Sequence, residues 1–290
     1  MANSGEPSDG TYSVLTDETR LRILFALAEQ YNDAWSSGCP SFSELRDRVG
    51  VEDTSRFSYH LDELQDEFVH KVDGQYRPQV AALEIVAAIR AGMYDKEVMV
   101  DQQQIDYDCL HCEGALVACY RDHYLYVGCP DHGAAIAYPT PPRAVVDRSL
   151  EEVIDLSLRK HACDLRLLRQ GVCPHCWGTA ELSFPRDSVP DSYLLDNVPY
   201  ATAMCDVCWL SYPLPVAHLV LGHSAVDQLY ADHGLGPADT QLGPHDLARV
   251  SAVDYYESKP PAARLTIGLS DQPLVFELDE NVRIHDYWQT

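Results

Sequence analysis

Lysine is nearly missing from this chain. Four of its 290 residues are lysine (Lys71, Lys96, Lys160 and Lys259), and with arginine they make 21 bases against 45 Asp and Glu. The formal net charge is −24 and the isoelectric point is near 4.6. A strongly acidic, lysine-poor surface suits a molar-salt cytoplasm, where carboxylates hold hydrated cations and keep a protein dissolved. Charge alone argues against a nucleic-acid partner. No stretch reaches the ~18 consecutive apolar residues of a membrane span, and the best run, 80–89, is interrupted by Glu84. Residues 1–11 lack a basic n-region and an apolar h-region, so no secretory signal is expected and the compartment is read as the reducing cytoplasm. G-x-S-x-G, Walker A, G-x-G-x-x-G and H-E-x-x-H are all absent, and nothing points to an enzyme. Hydrophobic residues at 46% exclude wholesale disorder.

Local signals give an element order. Residues 1–12 are expected to be a disordered tail. Thr16-Asp17 caps a helix whose Leu21, Leu24, Leu27 and Ala28 recur at helical spacing. A loop is expected over 31–40. Ser41 or Ser43 caps a short helix stopped by Gly50, and Asp53 or Thr54 caps another. Asp73-Gly74 joins short β runs at 68–72 and 75–77, a strong two-residue hairpin signal. A helix follows Pro78, from Val80 to about Gly92.

Helix, helix, turn, helix, hairpin, helix is the order of a winged helix-turn-helix. Leu15-Thr16-Asp17-Glu18-Thr19-Arg20-Leu21-Arg22-Ile23-Leu24 resembles the opening helix of ArsR-type transcriptional regulators. Ser43-Glu44-Leu45 with Val49-Gly50 resembles their second helix and turn, and Phe57-Ser58-Tyr59-His60-Leu61-Asp62-Glu63-Leu64 their recognition helix. Continued through Phe68-Val69-His70-Lys71, the pattern is similar to haloarchaeal members with cysteine pairs downstream. The resemblance implies double-stranded DNA as partner. The founding metal sensors carry cysteines on the helix equivalent to 42–49; none stands there in this chain, so sensing at that position is not implied.

On a helical wheel Phe57, Leu61 and Leu64 share the core face, which turns Ser55 and Tyr59 outward with Arg56 and Ser58 on the flanks. Arg56 can take a guanine edge bidentately, and Ser55, Ser58, Tyr59 and His60 can bond phosphates or base edges. Lys71 and Arg77 fall on the wing, where members of the family touch backbone or minor groove. Residues 14–78 nevertheless carry seven Lys and Arg against thirteen Asp and Glu, so direct contacts must supply more of the affinity than usual.

Ten cysteines need an explanation in a reducing compartment, and CxxC pairs suggest metal before disulfide. Cys109-Leu-His-Cys112 and Cys129-Pro-Asp-His132 flank strands expected at 115–120 and 124–128, a Cys₃His zinc ribbon. His111 and Cys119 lie near enough in sequence to leave the ligand choice open, although Cys119 reads as a small buried residue of a strand. Cys173-Pro-His-Cys176 and Cys205-Asp-Val-Cys208, flanking strands expected at 180–184 and 200–204, make a Cys₄ ribbon. Two structural zinc ions per chain are expected.

A helix over 147–171 is expected to join the ribbons as a strut or a dimer contact, with Cys163 buried in it. Further helices at 217–221 and 225–233, the second capped by Ser224, precede strands at 265–269, 274–278 and 282–285. The fold class is therefore α+β and multi-domain. It divides into the tail at 1–12, a winged helix-turn-helix at 13–95, ribbon 1 at 96–146, the helix at 147–171, ribbon 2 at 172–214 and a small C-terminal α+β domain at 215–290. The reading is a sequence-specific regulator, homodimeric because such proteins read paired half-sites. The alternatives are an adaptor of the transcription machinery that binds protein alone, and a zinc- or thiol-based redox or metal sensor. Operator and effector are not legible.

Overall fold

The computed structural model describes residues 16–37, 39–94, 98–109, 112, 114–131, 133–184, 199–234, 251–256, 263–268 and 271–290. Among these the chain forms seven α-helices and four antiparallel sheets, an α+β architecture, and it divides into two compact units, Met1–Asp95 and Lys96–Thr290. No helix among the described residues is long and apolar enough to cross a membrane.

In the first unit the Asp17 carboxylate accepts from the Arg20 N–H at 3.1 Å and opens α1 (Glu18–Ser37). The helix runs through most of the expected 31–40 loop, because no Gly or Pro interrupts it before Gly38. A complete capping box, Ser41 with Glu44, starts α2 (Phe42–Val49), and Gly50 ends it at φ 72°, where a Cβ is costly. Asp53 starts α3 (Thr54–Asp62) by accepting from the N–H groups of Ser55 and Arg56. Strands β1 (Val69–Val72) and β2 (Gln75–Pro78) pair with Val72 opposite Gln75, leaving Asp73-Gly74 as the turn. Both turn residues have positive φ, 51° and 78°, as a type I′ turn requires. Helix α4 (Val80–Arg90) follows. Ile23, Leu24, Leu27, Leu45, Phe57, Leu61, Leu64 and Val86 pack into one core. Each such side chain contributes about 1.5–3 kcal/mol of burial.

The second unit begins with a four-stranded meander: β3 (Val100–Asp108), β4 (Ala115–Arg121), β5 (Tyr124–Cys129) and β6 (Gly133–Pro139). Only its two central strands were legible in sequence. The outer β3 reads Val-Asp-Gln-Gln-Gln-Ile-Asp-Tyr-Asp and buries Ile105 alone, so alternation is hidden by its exposed edge. After a short α5 (Arg143–Val146), α6 (Leu150–Leu168) opens on a Ser149/Glu152 capping box. A second sheet holds β7 (Ala180–Ser183), β8 (Tyr200–Cys205) and β9 (Ser211–Pro215). Where a helix was expected at 217–221, Val216–Val220 is a 3₁₀ turn, confined between Pro215 and a left-handed Gly222. The cap of α7 (Ser224–Asp232) is His223, whose Nδ1 accepts from the Ala225 N–H, and not Ser224. Strands β10 (Ser251–Tyr255), β11 (Ala263–Ile267), β12 (Leu274–Leu278) and β13 (Ile284–Gln289) form a closing meander, one strand more than expected.

Helix α6 is a strut between two cores. Leu150, Val153, Ile154 and Leu158 pack with β4 and β5, whereas Leu165 and Leu168 pack with the later elements. That second core takes in Cys173, Ala203, Cys205, Leu219, Val226, Leu265 and Phe276 together. The sheet of β7, β8 and β9 and the closing sheet thus share one core across residue 214, where a domain boundary was expected. Cys163, expected to be buried, lies exposed on α6.

Candidate metal centres and nucleic-acid interface

Two groups of cysteines come together. Cys173, Cys176, Cys205 and Cys208 have sulfurs all within 4.8 Å of one another, and so do Cys109, Cys112 and Cys129. Three of the cysteine pairs share one backbone hydrogen bond. The N–H of the first cysteine donates to the carbonyl five residues on: Cys109 to Gly114 at 2.7 Å, Cys173 to Gly178 at 2.8 Å and Cys205 to Leu210 at 3.0 Å. Cys173···Cys208 and Cys112···Cys129 are 3.7 Å apart and Cys176···Cys205 is 3.4 Å. Thiolates about 2.3 Å from one tetrahedral ion stand about 3.8 Å apart, while a disulfide needs ~2.05 Å. The spacing fits ligation and not cross-linking, so both groups can hold a metal ion.

The surroundings also favour thiolate. Burial works against the charge of Cys173, but backbone N–H groups of Cys176 and His175, with the Tyr212 hydroxyl, outweigh it and bring the thiol down to about 6. Cys205 accepts from the N–H groups of Val207 and Cys208 at 3.4 and 3.5 Å. Cys208 shows the opposite effect: despite the Leu210 N–H, burial and the three neighbouring sulfurs push it up to about 12. Four thiolates repel each other unless a cation lies among them. His132 and His111 lie outside the described residues, so the fourth ligand of the first group is not placed. Cys119 stands half-buried on β4 opposite Tyr126 and is not among the grouped sulfurs.

In the first unit, the outward side of α3 carries Ser55, Arg56 and Tyr59 exposed and Ser58 half-exposed. His60 does not join them. It is 7% exposed, with Nδ1 3.5 Å from the Asp17 carboxylate, because its position faces α1 beside Leu61. The expected contact role of His60 is corrected accordingly. Burial disfavours the Asp17 charge, yet the Arg20 N–H and His60 hold its carboxyl below the usual range. Glu63, which makes α3 look acidic in sequence, is paired with Arg20 at 3.2 Å. Asp62 accepts from Ser58 and Gln65. On the hairpin Lys71 sits 5.2 Å over the Tyr76 ring, and its hydrogen bond to Tyr76 holds the ammonium above its ordinary value. Arg22 bonds the Val49 carbonyl, Arg46 bonds Thr54 and Asp47, Arg48 bonds Gln30, and Arg90 bonds Glu29. Among the described residues of this unit, Arg56 and Arg77 are the arginines whose guanidinium groups have no such partner.

Residues 106–284 match the family profile described as Domain of unknown function (DUF7351), and residues 8–89 match that of Domain of unknown function (DUF7347). No curated protein and no solved structure matches the chain.

Proposed function

The chain belongs to the family described as Domain of unknown function (DUF7351), whose match takes in both cysteine groups and most of the closing sheet, and from that premise we propose that it is a sequence-specific DNA-binding transcriptional regulator: a separate N-terminal winged helix-turn-helix of ArsR type reads DNA, and the zinc-held remainder serves as its scaffold.

The observation that carries the reading is the pair of uncommitted arginines. In a unit with excess carboxylate, every other arginine is bonded internally, while Arg56 on α3 and Arg77 on β2 are left free and exposed. In this reading α3 enters the major groove, with Arg56 on a guanine edge and Ser55, Ser58 and Tyr59 on phosphates or neighbouring bases. Tyr59 is braced from behind by the Arg20 guanidinium, 5.8 Å from its ring centre. Arg77 and Lys71 hold the backbone from the hairpin. Two chains read paired half-sites as a homodimer, in a salt-rich cytoplasm that the lysine-poor composition suits.

Cys173, Cys176, Cys205 and Cys208 would hold one zinc ion, and Cys109, Cys112 and Cys129 a second, with His132 as the fourth ligand. Bound there, the ions would cross-link short turns, a structural role. Footprinting of genomic fragments at molar KCl tests the proposal. Sequence-selective protection that depends on Arg56 is expected, and uniform or absent protection would overturn it. Elemental analysis of natively purified protein should find two zinc ions per chain.

A further inference from the structure

The second cysteine group repeats one feature that ligation does not require. Each of its turns ends in tryptophan: Cys173-Pro-His-Cys176-Trp177 and Cys205-Asp-Val-Cys208-Trp209. The Trp177 and Trp209 N–H groups donate to the Cys173 and Cys205 carbonyls at 3.0 and 3.1 Å, and both residues are left-handed, with φ 61° and 59°. Glycine takes that conformation at no steric cost, whereas a bulky side chain is disfavoured. The largest side chain nonetheless stands there twice, and the fold gains no burial from it. Trp177 is 80% exposed and Trp209 83%, whereas Trp288 is half-buried. Val207, Met204 and Leu210 extend the exposed apolar surface, and the two turns are in close contact where Val207 packs on Gly178.

The charge carried by the two turns and their strands is negative. Among the described residues of 170–210 there is no Lys or Arg, against two carboxylates, while Arg169 and Arg283 line the groove on the far side of Glu181. Of these acids, Asp206 lies inside the second turn and Glu181 pairs with Met204 across the sheet, both exposed. A phosphate backbone would meet a carboxylate beside the indoles, although bases can stack on tryptophan. A second copy would bring the same acidic surface. A cation is the complement: the indole face is the best aromatic acceptor for guanidinium or ammonium groups, and the carboxylates add attraction.

We propose that Trp177 and Trp209, with Asp206 and Glu181, form a docking surface for a basic segment of a partner protein, whose Arg or Lys side chains lie against the indoles. It concerns a different unit from the DNA-reading face and stands or falls separately from it.

Binding of a fluorescent peptide of repeated Arg-Gly-Ser to the zinc-loaded full-length protein tests this, alongside its Glu-for-Arg counterpart and a labelled oligothymidine. The Arg peptide should bind, and the Glu peptide should not. The double variant W177N/W209N should weaken binding about tenfold or more, two cation–π contacts being lost, with zinc content and circular dichroism unchanged. Asparagine is chosen because it accepts positive φ. W288F should bind as the wild type does, and D206N should weaken binding more at low salt than at high. No binding of the Arg peptide, equal binding by W177N/W209N, or tighter binding of oligothymidine would each overturn the proposal. So would a dimer that W177N/W209N converts to monomer while the peptide fails to bind.

Discussion

At the scale of single residues, burial and partners divide side chains that sequence treats alike. Arg20, Arg56 and Arg77 are equivalent on paper, but Arg20 is nearly buried against Glu63 and the other two are free. Arg56→Ala should therefore cost about 1–3 kcal/mol of specific binding and relax preference at one base position. Arg77→Ala should weaken all sequences alike, a phosphate contact carrying no sequence information. Binding to a mapped operator and to its single-base variants separates the two, and equal losses on every sequence from both variants would show that Arg56 reads no base. A different residue-scale effect comes from His161 on α6. Its Nε2 is 3.0 Å from His218 Nδ1, Tyr138 stacks edge-on against it, and Tyr138 in turn donates to Asp164, which also pairs with Lys160. Burial outweighs Asp164 and depresses the His161 imidazole from 6.5 to about 4. Between those values the unfolded chain binds a proton that the folded chain refuses, so stability falls as pH drops through that window, by about 3 kcal/mol in all. Urea midpoints measured from pH 7 to pH 4 should show this slope, and His161→Gln should flatten it. Neither contact was legible in sequence, where His161 is 57 residues from His218.

Elements carry the clearest sequence signals at their ends. Ser41, Asp53 and Asp73-Gly74 each fix a boundary through a local hydrogen bond or a positive φ, so sequence alone offered them, whereas the Ser149/Glu152 box that starts α6 three residues after the expected 147 was not read. The outer strands β3, β6, β9 and β10 were missed, and the helix expected at 217–221 is a 3₁₀ turn held between Pro215 and Gly222. The cysteine turns belong to this scale too. At Gly178 an added Cβ would meet Val207 Cγ2 at 2.6 Å and the Cys176 sulfur at 3.3 Å. Gly178→Ala should therefore push the two turns apart, cost about 1–3 kcal/mol, and speed zinc loss to a chelator relative to the wild type. Cys208→Ser should release one of two zinc ions. Because Cys173 and Cys205 belong to the core shared with β11 and β12, that loss should also loosen the C-terminal sheet. Hydrogen exchange of 263–267 and 274–278 reads the effect, and unchanged protection there would show the core to be independent of the metal.

Across the whole molecule, the net charge of −24 is the dominant quantity. An ordinary basic binder loses affinity steeply with salt as counterions return to the DNA. On the proposed reading, approach to DNA would bring carboxylates such as Asp66 and Glu67 towards phosphate, a repulsion that molar salt, with a Debye length of about 3 Å, would remove. Specific affinity should stay flat or rise from dilute to molar KCl; titration of an operator fragment checks it, and a steep decline would count against the reading. The charge, the lysine shortage, the pairing of cysteines, the caps of α2 and α3, the hairpin and the order of elements in the first unit were determined by sequence alone, because each depends on composition or on neighbours within a few residues. Tertiary structure decided the rest. It set which carboxylates are already engaged, that His60 turns inward and Cys163 outward, that α6 bridges two cores, and that the sheet of β7, β8 and β9 shares its interior with the closing sheet. The Cys-x-x-Cys-Trp repeat could be read from the chain, but the exposure of both indoles could not. Burial and long-range pairing depend on which distant segments meet, and that is fixed only when the whole apolar surface is packed at once.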